Sequence, residues 1–98
     1  MQTKNKKINL ICKSRLNKYL KITEKALKIA SNSINPEKKK EAFEILDMVS
    51  CYLQDSKHFF KQGNYVNAFA CINYAHGWLD SGARLRIFLV KDSSLFTI

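Results

Sequence analysis

The sequence is poor in residues that interrupt helices, since its 98 residues include only three Gly and one Pro. This scarcity argues against many short strands joined by turns and favours a few long helices. No apolar run approaches the roughly 18 residues of a membrane span, and the N-terminus lacks the apolar segment of a signal peptide. We therefore expect a soluble, cytoplasmic protein with one domain, residues 1–98, and no membrane partner.

The chain has three cysteines, and nothing in their spacing indicates chemistry. Cys12, Cys51 and Cys71 are three in number and form no C-x-x-C pair, so neither a disulfide framework nor a zinc site is indicated. We expect buried free thiols in a reducing compartment. The sequence has no Gly-rich phosphate loop, H-E-x-x-H motif or glycine-flanked serine. It therefore predicts a protein that is not an enzyme, with no catalytic residue, no metal and no cofactor.

The formal net charge of +9 is concentrated in the N-terminal third of the chain. Residues 1–28 hold nine Lys or Arg against Glu24 alone, a net charge of +8, whereas residues 41–98 have a net charge of −1. Lys18, Lys21, Lys25 and Lys28 fall on one side of a predicted helix, where they could follow a phosphate backbone. Because 14 of the 17 basic residues are Lys, a Lys-rich composition would give the same total, and we favour a merely solvated helix face over nucleic-acid binding.

The apolar periodicity predicts an all-α fold, an antiparallel three-helix bundle with an extended C-terminal tail packed on it. We place the helices at about residues 6–33, 36–62 and 65–86, and the tail at 87–98. The first predicted stripe consists of Ile8, Ile11, Leu16, Leu20, Ala26, Leu27, Ala30 and Ile34. The second consists of Ala42, Ile45, Leu46, Val49, Leu53, Phe59 and Phe60.

Cap residues mark the connections between these helices. Asn35 suits an N-cap and Pro36 the first helical position. Gly63 suits the left-handed position after a helix, and Asn64 can cap the next one. The turn at Gly63 is so short that the second and third helices must form an antiparallel hairpin.

The third helix has apolar residues on two sides. Ile72 and Leu79 share one face, whereas Tyr74 and Trp78 lie near the opposite one. We expect cover on both sides, by the first helix, the tail or another subunit. Because Gly within a helix costs about 1 kcal/mol relative to Ala, Gly77 and Gly82 also predict a close approach of neighbouring atoms.

A longer motif resembles the archaeal domain-of-unknown-function family 357 (DUF357). The matching residues are Gly63, Tyr65, Ala68, Tyr74, Ala75, His76, Gly77, Trp78, Leu79, Asp80, Gly82, Ala83, Arg84 and Leu85. The resemblance implies a helical bundle of archaeal origin without an established activity. Family members tend to have Gly where this chain has Arg86, so we expect a different exit from the third helix here. The Gly-x-Tyr-x-x-Ala turn is also similar to a tetratricopeptide hairpin, although one hairpin cannot form a solenoid.

The candidate interaction or packing surface lies on the third helix and comprises Tyr74, His76, Trp78, Asp80 and Arg84. His76, Asp80 and Arg84 step by four residues, so they could form a general base with its orienting carboxylate and an anion site. An Asp80 to Arg84 ion pair beside a hydrogen-bonded histidine is the structural alternative, and we favour it.

We interpret the chain as a protein-interaction module or small oligomer with an unknown protein partner. The alternative is electrostatic binding of RNA or DNA through the Lys-rich first helix. If the Trp78 ring is fully buried, Trp78→Ala should cost about 3 kcal/mol or more.

Overall fold

The fold is described by a computed structural model that covers residues 13–98. Within these residues, the helices are α1 (Lys13–Ser31), α2 (Lys39–Lys61) and α3 (Tyr65–Arg84). They confirm the predicted all-α three-helix bundle. The part of the predicted first helix before residue 13, with Ile8, Ile11 and Cys12, lies outside the described residues.

The predicted caps are present at both connections. The Asn35 side chain accepts a hydrogen bond from the Glu37 backbone N–H at 3.0 Å, and Pro36 opens a 3₁₀ turn, Pro36–Lys38, before α2. Gly63 has a φ of 76°, the left-handed conformation that terminates α2. The Asn64 side chain then accepts from the Asn67 backbone N–H at 3.3 Å. The helix predicted to begin at Pro36 thus starts with the 3₁₀ turn, and its α-helical part begins at Lys39, three residues later than expected.

The core lies between the α2–α3 hairpin and α1, which crosses one side of it. The Tyr19 and Phe69 rings, with centroids 5.5 Å apart, join α1 to α3. An ion pair of 2.7 Å between Glu24 and Lys57 joins α1 to α2. The buried apolar residues of the helices are Leu16, Leu20, Ala26, Ala30, Ala42, Ile45, Val49, Leu53, Ala68, Ile72, Ala75, Leu79 and Ala83. Most members of both predicted stripes are therefore buried, while Leu27, Ile34, Leu46, Phe59 and Phe60 are half-buried.

Two polar residues are buried among these side chains, and the apolar pattern did not predict them. Ser56 donates its hydroxyl hydrogen bond to the Ala68 carbonyl at 2.9 Å. Thr23 bonds through its hydroxyl to His76. Both hydroxyls gain a partner inside the bundle, which offsets the cost of removing them from water.

The tail packs on the bundle, as predicted, and it begins by pairing with the α1–α2 connection. The Leu89 N–H donates to the Ser33 carbonyl at 2.7 Å, and the Asn35 N–H donates to the Ile87 carbonyl at 2.9 Å. A turn follows at Asp92, which leads Phe96 back into the core. The tail is therefore an integral part of the fold.

The two helical glycines have different surroundings. A Cβ on Gly82 would lie 2.5 Å from Cε2 of Phe88, so the close approach predicted there is confirmed. A Cβ on Gly77 would meet no atom of residues 13–98 within 4 Å, so this part of the chain does not supply the close approach predicted for that glycine. Gly77 is exposed on the surface of α3.

Arg86 leaves α3 in a conformation that favours glycine. Its φ is 61°, in the left-handed region where L side chains are strained. The exit from α3 therefore follows a backbone path that Gly adopts without strain.

Replacing this residue tests the strain directly. We expect Arg86→Gly to stabilise the protein by about 1 kcal/mol, because it removes the steric cost at the left-handed position. Arg84→Gly removes the same charge from a helical position and should instead lose stability. Urea unfolding of both variants measures the difference, and equal effects would contradict it.

Candidate interaction surface

Helix α3 divides the predicted site residues between two sides. His76 and Asp80 point toward α1 and the tail, and Tyr74 and Trp78 lie on the side next to α2, away from α1. Arg84 is exposed and lies beside the tail. The five residues therefore do not form one surface, and they contribute to two different environments.

His76 has hydrogen-bond partners at both ring nitrogens. Nε2 lies 2.8 Å from the Leu95 carbonyl oxygen, which can only accept, so Nε2 must donate. Nδ1 lies 3.1 Å from the Thr23 hydroxyl, which can donate to it when the ring is neutral. The imidazole thus connects α1, α3 and the tail.

Asp80 holds the tail next to this histidine. Its carboxylate accepts hydrogen bonds from the Thr97 backbone N–H at 2.9 Å and from the Thr97 hydroxyl at 3.2 Å. His76 Nε2 lies 3.7 Å from the same carboxylate. The ion pairs among residues 13–98 do not include the expected one between Asp80 and Arg84. The predicted ion pair was wrong because the Asp80 carboxylate instead accepts hydrogen bonds from Thr97 in the tail.

The other side of the hairpin carries a row of exposed or half-exposed large side chains. We call it the open face, and it consists of Met48, Tyr52, Cys71, Tyr74, Trp78 and Leu85. The Tyr52 and Tyr74 rings stack across the helix pair, with centroids 5.3 Å apart and an interplanar angle of 13°. Tyr74 is 63% exposed and Leu85 is 64% exposed. The face is therefore large, aromatic and accessible.

Among residues 13–98, the second apolar side of α3 thus lacks the cover that we expected. Within residues 13–98, α1 and the end of the tail pack on the side of His76 and Asp80, whereas Ile87 at the start of the tail lines one end of the open face. Trp78 is 38% exposed, so the condition of full burial for a cost of 3 kcal/mol or more is not met. Sequence periodicity identified two apolar sides but could not assign the covering segments to them.

The contribution of α2 to the open face was missed at the sequence level. Met48 and Tyr52 are spaced by four residues and lie outside the predicted inward stripe. The four-residue spacing of these two residues, with acidic rather than basic residues near them in the sequence, was the signal that could have identified the α2 side of the open face. Large apolar residues such as exposed Met48 and half-buried Tyr52 are common on an otherwise polar helix side, which is why the pattern alone carried little weight.

The two described cysteines are free, as predicted, but neither is fully buried. Cys51 is exposed, and Cys71 lies half-buried on the open face. Partial burial, with a further contribution from the carboxylate of Asp55, raises the pKa of the Cys71 thiol. The thiol is therefore a poor nucleophile at neutral pH.

The four candidate nucleic-acid contacts lie on α1. Lys18, Lys21, Lys25 and Lys28 are all exposed there, and their spacing places them on one side of the helix. Lys25 is close enough to the tail to help lower the pKa of Asp92, although hydrogen bonds from Ser94 contribute more to that shift. This Lys-rich side and the open face are separate surfaces.

Two further properties concern the described part of the chain. Residues 13–98 contain no cluster of three His, Cys, Asp or Glu side chains that could hold a metal ion. None of the helices in this range combines the length and the apolarity needed to cross a bilayer.

In the described part of the chain, the fold is a small helical bundle that leaves one apolar face uncovered. A family model described as "Protein of unknown function (DUF357)" matches residues 18–88, most of the chain. The chain belongs to this family, as the motif around His76 and Trp78 suggested. Neither the curated proteins nor the solved structures that were compared include a match to it.

Proposed function

We propose that the chain is a non-enzymatic protein-interaction module and that the open face is its binding surface. The observation that carries the proposal is that α1 and the tail pack on one side of α3, which leaves Tyr74, Trp78 and Leu85 accessible on the other. Trp, Tyr and Met are enriched at protein interfaces, and contiguous exposed apolar patches mark binding sites. The partner is another protein or a second copy of the chain.

The surroundings of His76 support a non-enzymatic role. A general base needs a ring nitrogen that can take a proton from a substrate. Here Nε2 serves the tail and Nδ1 serves Thr23, so catalysis would require breaking contacts that hold the fold together. We also propose a cytoplasmic location, which the unpaired thiols of Cys51 and Cys71 support.

The second candidate is electrostatic binding of RNA or DNA. The observation in its favour is that the four lysines of α1 are exposed on one side, so that they could contact successive phosphates. Binding of this kind would be insensitive to base sequence and would weaken steeply with salt. It ranks second because the Lys-rich side of α1 has no aromatic platform for bases, with Tyr19 packed against Phe69.

Capture of partners from the source cell extract distinguishes the two candidates. The wild type is compared with Trp78→Ala and with a matched surface variant in which Lys18, Lys21, Lys25 and Lys28 are all changed to Gln. Each is tested with and without nuclease and at low and high salt. We expect a protein partner that resists nuclease, is kept by the Lys variant and is lost by Trp78→Ala.

Trp78→Ala must remain folded for the capture test to be informative. Because the Trp78 ring is partly exposed, its removal in Trp78→Ala leaves no closed cavity. The free energy of unfolding should therefore fall by less than about 3 kcal/mol. Thermal unfolding checks this expectation. In the capture test, a partner that is lost by the Lys variant and by nuclease treatment would instead favour nucleic-acid binding and contradict the proposed function.

A further inference from the structure

One end of the open face forms a groove with apolar and acidic walls. Met48, Trp78 and Leu85 supply apolar surface, and Glu41, Glu44 and Asp47 line the α2 side. The residues within 13–98 that line the groove include no Lys or Arg, and the groove has a volume of about 520 Å³. The groove continues toward Tyr74 through a second depression that shares Trp78 and Ser81 with it.

The charge of this groove is opposite to that of the whole chain. The chain has a net charge of +9 and only eight acidic residues, and three of these lie together here. The ion pairs within residues 13–98 do not involve Glu41, Glu44 or Asp47. Their carboxylates are therefore available to a cationic partner, whereas the Lys-rich side of α1 repels one.

The shape of the open face fits a helix. It is the crevice between two helices whose backbone groups are bonded internally, so it offers no sheet edge to an extended peptide. α1 already covers the opposite side of the hairpin, and a further helix on the open side would complete a four-helix arrangement. From Cys71 to Leu85 the face spans about 21 Å, the length of a helix of about 14 residues.

We infer that the open face binds a basic amphipathic helix of a partner protein, with the apolar stripe of that helix against Trp78, Met48 and Leu85 and its Lys or Arg residues beside Glu41, Glu44 and Asp47. This inference rests on the proposed function and specifies the partner that the surface recognises. Helix-in-groove recognition of this type uses apolar anchors at positions i, i+3 or i+4, and i+7. The acidic wall adds orientation and selectivity.

Two synthetic peptides of about 14 residues test the inference. Both carry the same Leu stripe and no aromatic residue, and the remaining positions are Lys in one and Glu in the other. Because Trp78 is the chain's single tryptophan and is partly exposed, its fluorescence reports docking, and anisotropy of labelled peptide gives an independent measurement. We expect the basic peptide to bind at least about tenfold more tightly.

Charge reversal on the protein provides the matched control. Glu44→Lys, within the groove, should weaken binding of the basic peptide about fivefold. Glu37→Lys makes the same chemical change at an exposed residue outside the groove and should leave binding nearly unchanged. Equal effects of the two variants would show that only net charge matters, and that would overturn the inference.

Other outcomes separate this inference from the proposed function. Equal binding of both peptides, preference for the acidic one, or no binding of either overturns the inference. If Trp78→Ala still loses the protein captured from cell extract, the proposed function stands even though the inference of a basic partner helix fails. A wild-type dimer in sedimentation that is lost with Leu85→Asp would place a second copy on the open face and would also overturn the inference.

Discussion

Phe88→Ala is expected to destabilise the protein by about 3–5 kcal/mol, a large part of the stability of a small domain. The Phe88 side chain is 1% exposed, and its ring lies against Gly82 at the end of α3. Its backbone N–H donates to the Gly82 carbonyl at 3.2 Å, and the residue forms the bridge to Ile34. Truncation would therefore leave a cavity where the tail, the α1–α2 connection and α3 meet.

The adjacent residue supplies the control for this prediction. Leu89 is 43% exposed, so Leu89→Ala removes a large side chain from the same segment with little loss of packing. Urea unfolding followed by far-UV circular dichroism compares the two variants with the wild type. Similar losses for Phe88→Ala and Leu89→Ala would mean that the tail is not a part of the core.

Gly82→Ala and Gly77→Ala should change stability in opposite directions. At Gly82, the added methyl group would lie 2.5 and 2.7 Å from two carbons of the Phe88 ring, and this overpacking should cost about 1–3 kcal/mol. At Gly77 the methyl group meets no atom within 4 Å, so the gain in helix propensity, about 1 kcal/mol, should appear in full.

A double-mutant cycle identifies the cause of the loss at Gly82. If the methyl group clashes with the Phe88 ring, the cost of Gly82→Ala should nearly vanish in the Phe88→Ala background. Comparison of the four unfolding free energies gives the coupling between the two sites. Additive losses would place the strain elsewhere in α3, and a destabilising Gly77→Ala would contradict the open surroundings of that residue.

Local chemistry allowed much of the fold to be predicted from the sequence. Asn35, Gly63 and Asn64 determine helix ends through their own backbone and side-chain bonds, and these positions were identified correctly. The three helices and their inward stripes follow from a periodicity that each helix carries by itself. The 3₁₀ turn at Pro36–Lys38 was missed because it differs from a first α-helical turn by small changes in backbone angle.

The arrangement of the candidate site could be predicted only in part. Periodicity places His76 and Trp78 on different sides of α3. Which segment covers each side depends on contacts between residues far apart in the sequence, such as Thr23 and His76, which are 53 residues apart. The same limitation explains the error at Asp80, whose partner Thr97 comes from the tail rather than from its own helix. Long-range partners of this kind leave no periodic signal.

The separation of the two exposed surfaces follows from the same packing. The Lys-rich side belongs to α1, and the open face belongs to the α2–α3 hairpin. Substitutions on one therefore leave the geometry of the other unchanged, which makes the variants of Lys18 and Trp78 independent tests. The proposal of a basic partner helix also predicts that the Lys-rich side repels that partner, so docking should be restricted to the open face.

The backbone pairing between the α1–α2 connection and the start of the tail also determines how the bundle can open. Ser33 and Asn35 tie one end of α1 to the segment that follows α3. At the opposite end, the covalent link joins α2 to α3 through Gly63. α1 is therefore held by backbone hydrogen bonds at its Ser31 end, whereas side-chain contacts such as that of Tyr19 with Phe69 hold the rest of its described length. We expect local opening to separate these side-chain contacts before the backbone pairing near Ile34, and to leave the hairpin with its open face intact.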